Sequence, residues 1–252
     1  MSDLDQARVE LKLARFAVPA ALAAAWLLVQ SGLGRLLARL ASGMWLHELG
    51  HALAAWTCGF PAIPGPWFTS VGEERSWVFA LPLTAGLAWA CWQARAAERR
   101  PLLWAAGAAL AAQLFGTLVV TPRQASAFIS FAGDAGSLVL GAALMAAFFV
   151  RPGHPLHLGS LRWGLLALGA LGFADTFDLW WRARSDPGVI PFGEFEHGGE
   201  SDPTVLVAIY RWTVPSLVAR YLAVGALSLA ALAVLQFLHV RRCRAELEAQ
   251  EG

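Results

Sequence analysis

Seven apolar runs, each close to the roughly 20 residues a helix needs to cross a bilayer, dominate the chain. They fall at about 17–34, 36–58, 77–94, 101–121, 125–150, 162–181 and 213–240. Backbone N–H and C=O groups must be paired internally in hydrocarbon, so runs of this kind fold as helices. The sequence predicts an all-α, polytopic transmembrane bundle of about six to seven spans, with residues 1–252 forming a single integral membrane domain. Composition agrees, since 57% of residues are hydrophobic and 15% charged, whereas soluble domains carry about a quarter charged residues. Breakers separate the runs: the Pro/Gly-rich 59–66, the basic 95–101, Thr121-Pro122 and the 151–155 turn. Trp77, Trp163, Trp180, Trp181 and Trp212 fall near the ends of runs, as in an interfacial aromatic belt. Arg35 and Arg39 interrupt the start of the second run and are expected to snorkel to an interface.

Several function classes drop out at this level. A net charge of +1 gives no basic footprint for nucleic acid. Cys58, Cys91 and Cys243 form neither a disulfide framework nor a CxxC metal site. The polar N-terminus has no small-residue cleavage signal after its apolar run, so an uncleaved first span is expected. Basic residues at both ends and in 95–100 all favour the cytoplasmic side, which seven spans cannot satisfy, and orientation stays open.

Within the second run, residues 47–51 read His-Glu-Leu-Gly-His. HExxH on a helix stacks two imidazoles on one face, where both can hold one zinc, and sets the glutamate beside it as a general base. In an apolar run this pattern points to peptide-bond hydrolysis within or beside the bilayer. A charged residue at mid-bilayer costs about 2.5–3.5 kcal/mol on insertion scales, which argues against an idle Glu48.

A catalytic zinc needs a third protein ligand and an open position. Three carboxylates lie in predicted spans: Asp134 in the helix at about 125–150, and Asp175 and Asp178, three apart, in the helix at about 162–181. Gly133, Ala135 and Gly136 beside Asp134 permit close helix packing. Depth in the helix does not choose between Asp134 and Asp175. The polar loop 185–212 is expected to be a solvated acidic connector, although Glu194, Glu196, His197 or Asp202 could face a ligand. His154 and His157 sit in a Pro/Gly turn and read as surface residues, and His239 as interfacial.

The chain resembles the site-2-protease-type intramembrane zinc metallopeptidases. The likeness rests on residues 47–55, His-Glu-Leu-Gly-His-Ala-Leu-Ala-Ala, inside a span (about 36–58) and on a downstream intramembrane aspartate. The resemblance implies a Zn2+ cofactor, His47 and His51 as ligands, Glu48 as general base and Asp134 as third ligand. It also implies a membrane-anchored polypeptide substrate. Around Asp134 the chain reads Gly-Asp-Ala-Gly rather than the family's Asn/Pro-rich lead into Leu-Asp-Gly, and two helices rather than one separate it from HELGH. If residues 132–136 instead match the family's small-residue segment, the ligand is Asp175 or Asp178. The segments 161–164 (Leu-Arg-Trp-Gly) and 190–194 (Ile-Pro-Phe-Gly-Glu) resemble a branch of multi-span bacterial proteins, which implies the inner (cell) membrane. Residues 59–76 follow the HELGH helix and read as a connecting loop, because their prolines oppose a long strand, although the segment could offer an exposed edge to an extended substrate. Rival readings are a catalytically silent relative that binds partner helices, and a small-solute or proton transporter using the intramembrane aspartates as a relay.

Overall fold

The computed structural model describes residues 3–150, 154, 156, 161–194 and 199–251; His157, Glu196 and His197 lie outside the described residues. Among the described residues the fold is all-α apart from one small hairpin and an isolated bridge between Glu194 and Glu200. In order it forms α1 (Asp3–Val29), α2 (Gly32–Ala38), a π-helical turn (Arg39–Gly43) and α3 (Met44–Thr57). The hairpin strands β1 (Ala62–Pro64) and β2 (Thr69–Val71) follow, then α4 (Trp77–Ala96), α5 (Arg100–Leu118) and α6 (Pro122–Ala146). The chain ends with α7 (Leu161–Arg182), the short α8 (Asp202–Ala208) and α9 (Val214–Glu251). Among the described residues, four stretches are long and apolar enough to cross a membrane: Leu4–Val29, Arg100–Leu118, Pro122–Phe149 and Val214–Gln250.

Where the sequence reading has one domain, the chain divides into two compact units. The first comprises Met1–Leu46, Asp134–Pro191 and Trp212–Gly252; the second comprises His47–Gly133 and Phe192–Arg211. In the first unit, Val18, Val29, Leu138, Met145, Phe173 and Leu232 form a continuous apolar core. Helices α6 and α7 meet there through glycines: a Cβ on Gly169 would stand 2.5 Å from the Gly141 carbonyl oxygen. Only hydrogen fits at such an approach.

Several buried charges in the first unit are paired. Glu10 takes both guanidinium nitrogens of Arg162 at 2.8 and 3.0 Å, the two-pronged geometry that suits arginine. Arg35 and Arg39, read from the sequence as able to snorkel to an interface, are paired with acids: Arg35 donates to Asp178 at 2.6 Å and Arg39, half-exposed, to Asp175 at 3.1 Å. The spacing allows both pairs, because arginines four apart on one helix face meet aspartates three apart on another. Trp180 departs from the belt reading. It is fully buried, stacks on Tyr221 with ring centroids 4.1 Å apart and donates its indole N–H to Asp134.

The second unit is organised round the C-terminal part of α3. Gly59 takes a φ of +80°, a left-handed conformation that glycine adopts without cost. With Phe60 N–H donating to the Ala55 carbonyl at 2.9 Å, it ends the helix. A Cβ on Gly116 would lie 2.4 Å from the Thr57 carbonyl oxygen, so α5 crosses the end of α3 closely. The hairpin folds back along α3, with Trp56 Nε1 donating to the Ala62 carbonyl at 2.9 Å. Its register pairs Ala62 with Val71 and Pro64 with Thr69, so three residues per strand is all that the flanking prolines leave.

Candidate metal centre

His47 and His51 lie one turn apart on α3, and their Nε2 atoms are 3.0 Å from each other. A third atom joins them from far along the chain. Asp202 Oδ2 is 3.1 Å from His47 Nε2 and 3.1 Å from His51 Nε2. Among the described residues, His47, His51 and Asp202 are the group of three side chains able to hold a metal ion. Asp202 opens α8, next to the Ser201 N-cap. The loop before it is braced: Ser201 N–H donates to the Gly193 carbonyl at 2.8 Å, and Gly193 N–H to Thr204 Oγ1 at 2.9 Å.

The tautomer of His51 is set from behind. Its Nδ1 is 2.7 Å from the Ile129 carbonyl oxygen, an acceptor only, so Nδ1 carries the hydrogen and Nε2 is left with its lone pair. A lone pair, a second imidazole nitrogen and a carboxylate oxygen then converge on one point. Such a set suits a cation. Zinc with ligands at 2.0–2.2 Å in tetrahedral array requires ligand separations of about 3.3–3.6 Å; the three edges observed are 3.0, 3.1 and 3.1 Å, so the triangle would open by a few tenths of an ångström to take the ion. The neighbouring helix leaves room. A Cβ on Gly133 would stand 2.6 Å from each Nε2, in the space an ion between the two rings would occupy. The residues present therefore fit a zinc ion.

Burial opposes the charge on Asp202; where the rings of His47 and His51 carry protons on Nε2, their hydrogen bonds and charges outweigh it and hold the carboxyl below the ordinary carboxylate range, and those protons give way when the rings ligate an ion.

Glu48 is buried beside the histidines. Thr69 Oγ1, at the start of β2, lies 2.8 Å from Glu48 Oε2 and 2.7 Å from the Glu48 carbonyl oxygen. These groups line a cleft of about 590 Å³ whose apolar wall is Trp67, Phe68, Val71 and Ile129. The segment 59–76 thus supplies both a short strand and part of the cleft wall.

The other carboxylates singled out in the sequence stand elsewhere. Asp134, read as the third ligand, belongs to the first unit, where its Oδ2 accepts from Trp180 Nε1 at 2.8 Å. Asp175 is held by Arg39, and Asp178 by Arg35, Arg182 and Gln30. The carboxylate of the cluster comes instead from the loop read as a solvated connector. Asp202 follows His47 by 155 residues, and its only local signal is a helix start, Ser-Asp-Pro at 201–203. Nothing in the sequence marked Thr69. The chain matches no protein-family model, no curated protein and no solved structure.

Proposed function

We propose that the protein is a zinc-dependent intramembrane endopeptidase acting on a membrane-anchored polypeptide. The observation that carries this reading is the triangle of His47 Nε2, His51 Nε2 and Asp202 Oδ2 with Glu48 beside it in one cleft. His47, His51 and Asp202 would hold the zinc, which would supply Lewis acidity and make water acidic enough to lose a proton near neutral pH. Glu48 would take that proton as the water attacks the scissile carbonyl carbon, and would pass it to the leaving nitrogen, giving a carboxylic acid and an amine. His51, fixed through Ile129, keeps its Nε2 aimed at the ion, and Asp202 balances part of the ion's charge. The short hairpin strands provide an edge for an extended segment of substrate, and the wall of Trp67, Phe68 and Val71 suits apolar side chains such as a transmembrane segment carries.

The membrane setting rests on the four span-length apolar helices. We count α2 to α3, α4 and α7 as further spans, which gives the bundle of about seven, placed in a bacterial inner membrane. A transporter would need its aspartates free to titrate, and the pairing of Asp175 and Asp178 with arginines favours the peptidase.

Zinc per chain, by atomic emission on detergent-purified protein, tests the reading. About one zinc is expected in wild type, Glu48→Gln and Asp134→Asn, and close to none in His47→Ala and Asp202→Asn. Cleavage of single-span test polypeptides is expected in wild type and lost in Glu48→Gln. A wild type that holds no zinc when purified with added zinc and without chelator overturns it.

A further inference from the structure

Glu48 acts in the proposed reaction by holding a proton for a moment and then releasing it, so its carboxyl must stay in one place through both states. Helix α3 fixes its Cα, but a glutamate has three rotatable side-chain bonds beyond that. The group that the structure sets against the carboxyl comes from the hairpin. Thr69 Oγ1 lies 2.8 Å from Glu48 Oε2 and 2.7 Å from the carbonyl oxygen of the same residue. Both atoms of Glu48 are acceptors, and a threonine hydroxyl has one hydrogen and two lone pairs. From one position the hydroxyl can donate to a carboxylate, or accept from a carboxylic acid while its own hydrogen turns to the carbonyl. It follows the base through the cycle without moving.

We propose that Thr69 is the positioning residue of Glu48, and that through it the hairpin sets the general base against the His47–His51–Asp202 triangle. The inference rests on the peptidase reading above. The attachment of the hairpin makes it a firm mount. Trp56 holds β1 through the Ala62 carbonyl, and Gly72 N–H donates to the Pro61 carbonyl at 2.8 Å. Ser76 N–H donates to the Gly59 carbonyl at 3.0 Å, closing the segment at its base. An extended substrate that adds to the hairpin edge therefore docks on the same element that aims the base.

The test uses acetohydroxamate, which chelates zinc through two oxygens and hydrogen-bonds to a neighbouring carboxylate. Its affinity for the zinc-loaded full chain is measured by calorimetry for wild type, Glu48→Gln, Thr69→Val and Thr69→Ser, beside zinc per chain for each. Zinc is expected to stay at the wild-type level in all four. Glu48→Gln and Thr69→Val should bind the hydroxamate roughly tenfold more weakly, the loss of one hydrogen bond to a charged group. Thr69→Ser, which keeps the hydroxyl, should stay within about twofold of wild type. Thr69→Val at wild-type affinity, Thr69→Ser as weak as Thr69→Val, or zinc lost from Thr69→Val each overturns the inference alone. Wild type without zinc, or Glu48→Gln at wild-type affinity, overturns the peptidase reading and the inference with it.

Discussion

At the scale of single residues, the missing side chain at Gly133 is as informative as any present in the cleft. A methyl group there would come within 2.5 Å of His47 Cε1 and 2.6 Å of both Nε2 atoms, closer than real Cβ contacts come. Gly133→Ala is therefore expected to lower zinc from about one per chain to near zero. Helix content by circular dichroism should be unchanged, because alanine favours a helix interior over glycine by about 1 kcal/mol. A variant that keeps its zinc shows that the ion, if bound, lies elsewhere. The same neighbourhood shows what was legible. His47, Glu48 and His51 are readable from sequence because HExxH needs only the geometry of one helix turn. Asp202 was not, since its approach to them depends on a braced loop 155 residues away. Gly133 was legible as a site of close packing, but the sequence could not tell which side chains it made room for.

At the scale of elements, the helices were legible and the breaks within them less so. Apolar runs report burial in lipid or core directly, so five of the seven runs fall largely within single helices, while the first crosses the break between α1 and α2 at residues 30–31. The second run is instead α2, a π-helical turn and α3, a change of pitch that leaves no mark in hydropathy. The hairpin was legible only as a Pro/Gly-rich segment, and one further side chain, beside Trp56 and Thr69, ties the segment to the rest of the second unit. Arg75 donates to the carbonyls of Cys58 at 3.0 Å and Gly116 at 3.1 Å, and to that of Val120. These are carbonyls at the C-terminal ends of α3 and α5, which lack partners within their own helices. Arg75→Met keeps the apolar stem and removes all three donors, and each carbonyl left dry costs about 1–3 kcal/mol. Backbone hydrogen exchange in residues 59–76, followed by mass spectrometry, is expected to speed up by at least tenfold, with α4 unaffected. Arg75→Lys should recover only part of the protection, since an ammonium lacks the planar fork. Exchange unchanged in Arg75→Met would mean that the backbone bonds of the segment hold it unaided.

At the scale of the whole molecule, the acidic residues divide by task. Asp202 meets two imidazoles in the second unit, whereas Asp175 and Asp178 meet arginines in the first. The sequence could not sort them, because an aspartate in an apolar run, such as Asp175 or Asp178, reads alike whether its partner is a metal or a guanidinium, while Asp202 lies in a polar loop where an acid reads as solvated. Removing one of each kind should separate stability from metal binding. Asp178 is buried between Arg35 at 2.6 Å and Arg182 at 3.2 Å, and breaking a buried pair from one side costs about 3–5 kcal/mol. At about 2–4 °C per kcal/mol for a chain of this size, Asp178→Ala is expected to lower the melting temperature in detergent by about 10 °C, with zinc per chain unchanged below the transition. Asp202→Asn should show the reverse order of effects. Its zinc falls to near zero, and it loses the stabilisation that added zinc gives the wild type by binding only the folded chain. The measurement is a pair of melting curves per variant, with added zinc and with chelator, beside the metal content. Loss of zinc in Asp178→Ala with unaltered melting would reverse the assignment, making the α7 acid the ligand and the α8 acid a loop residue.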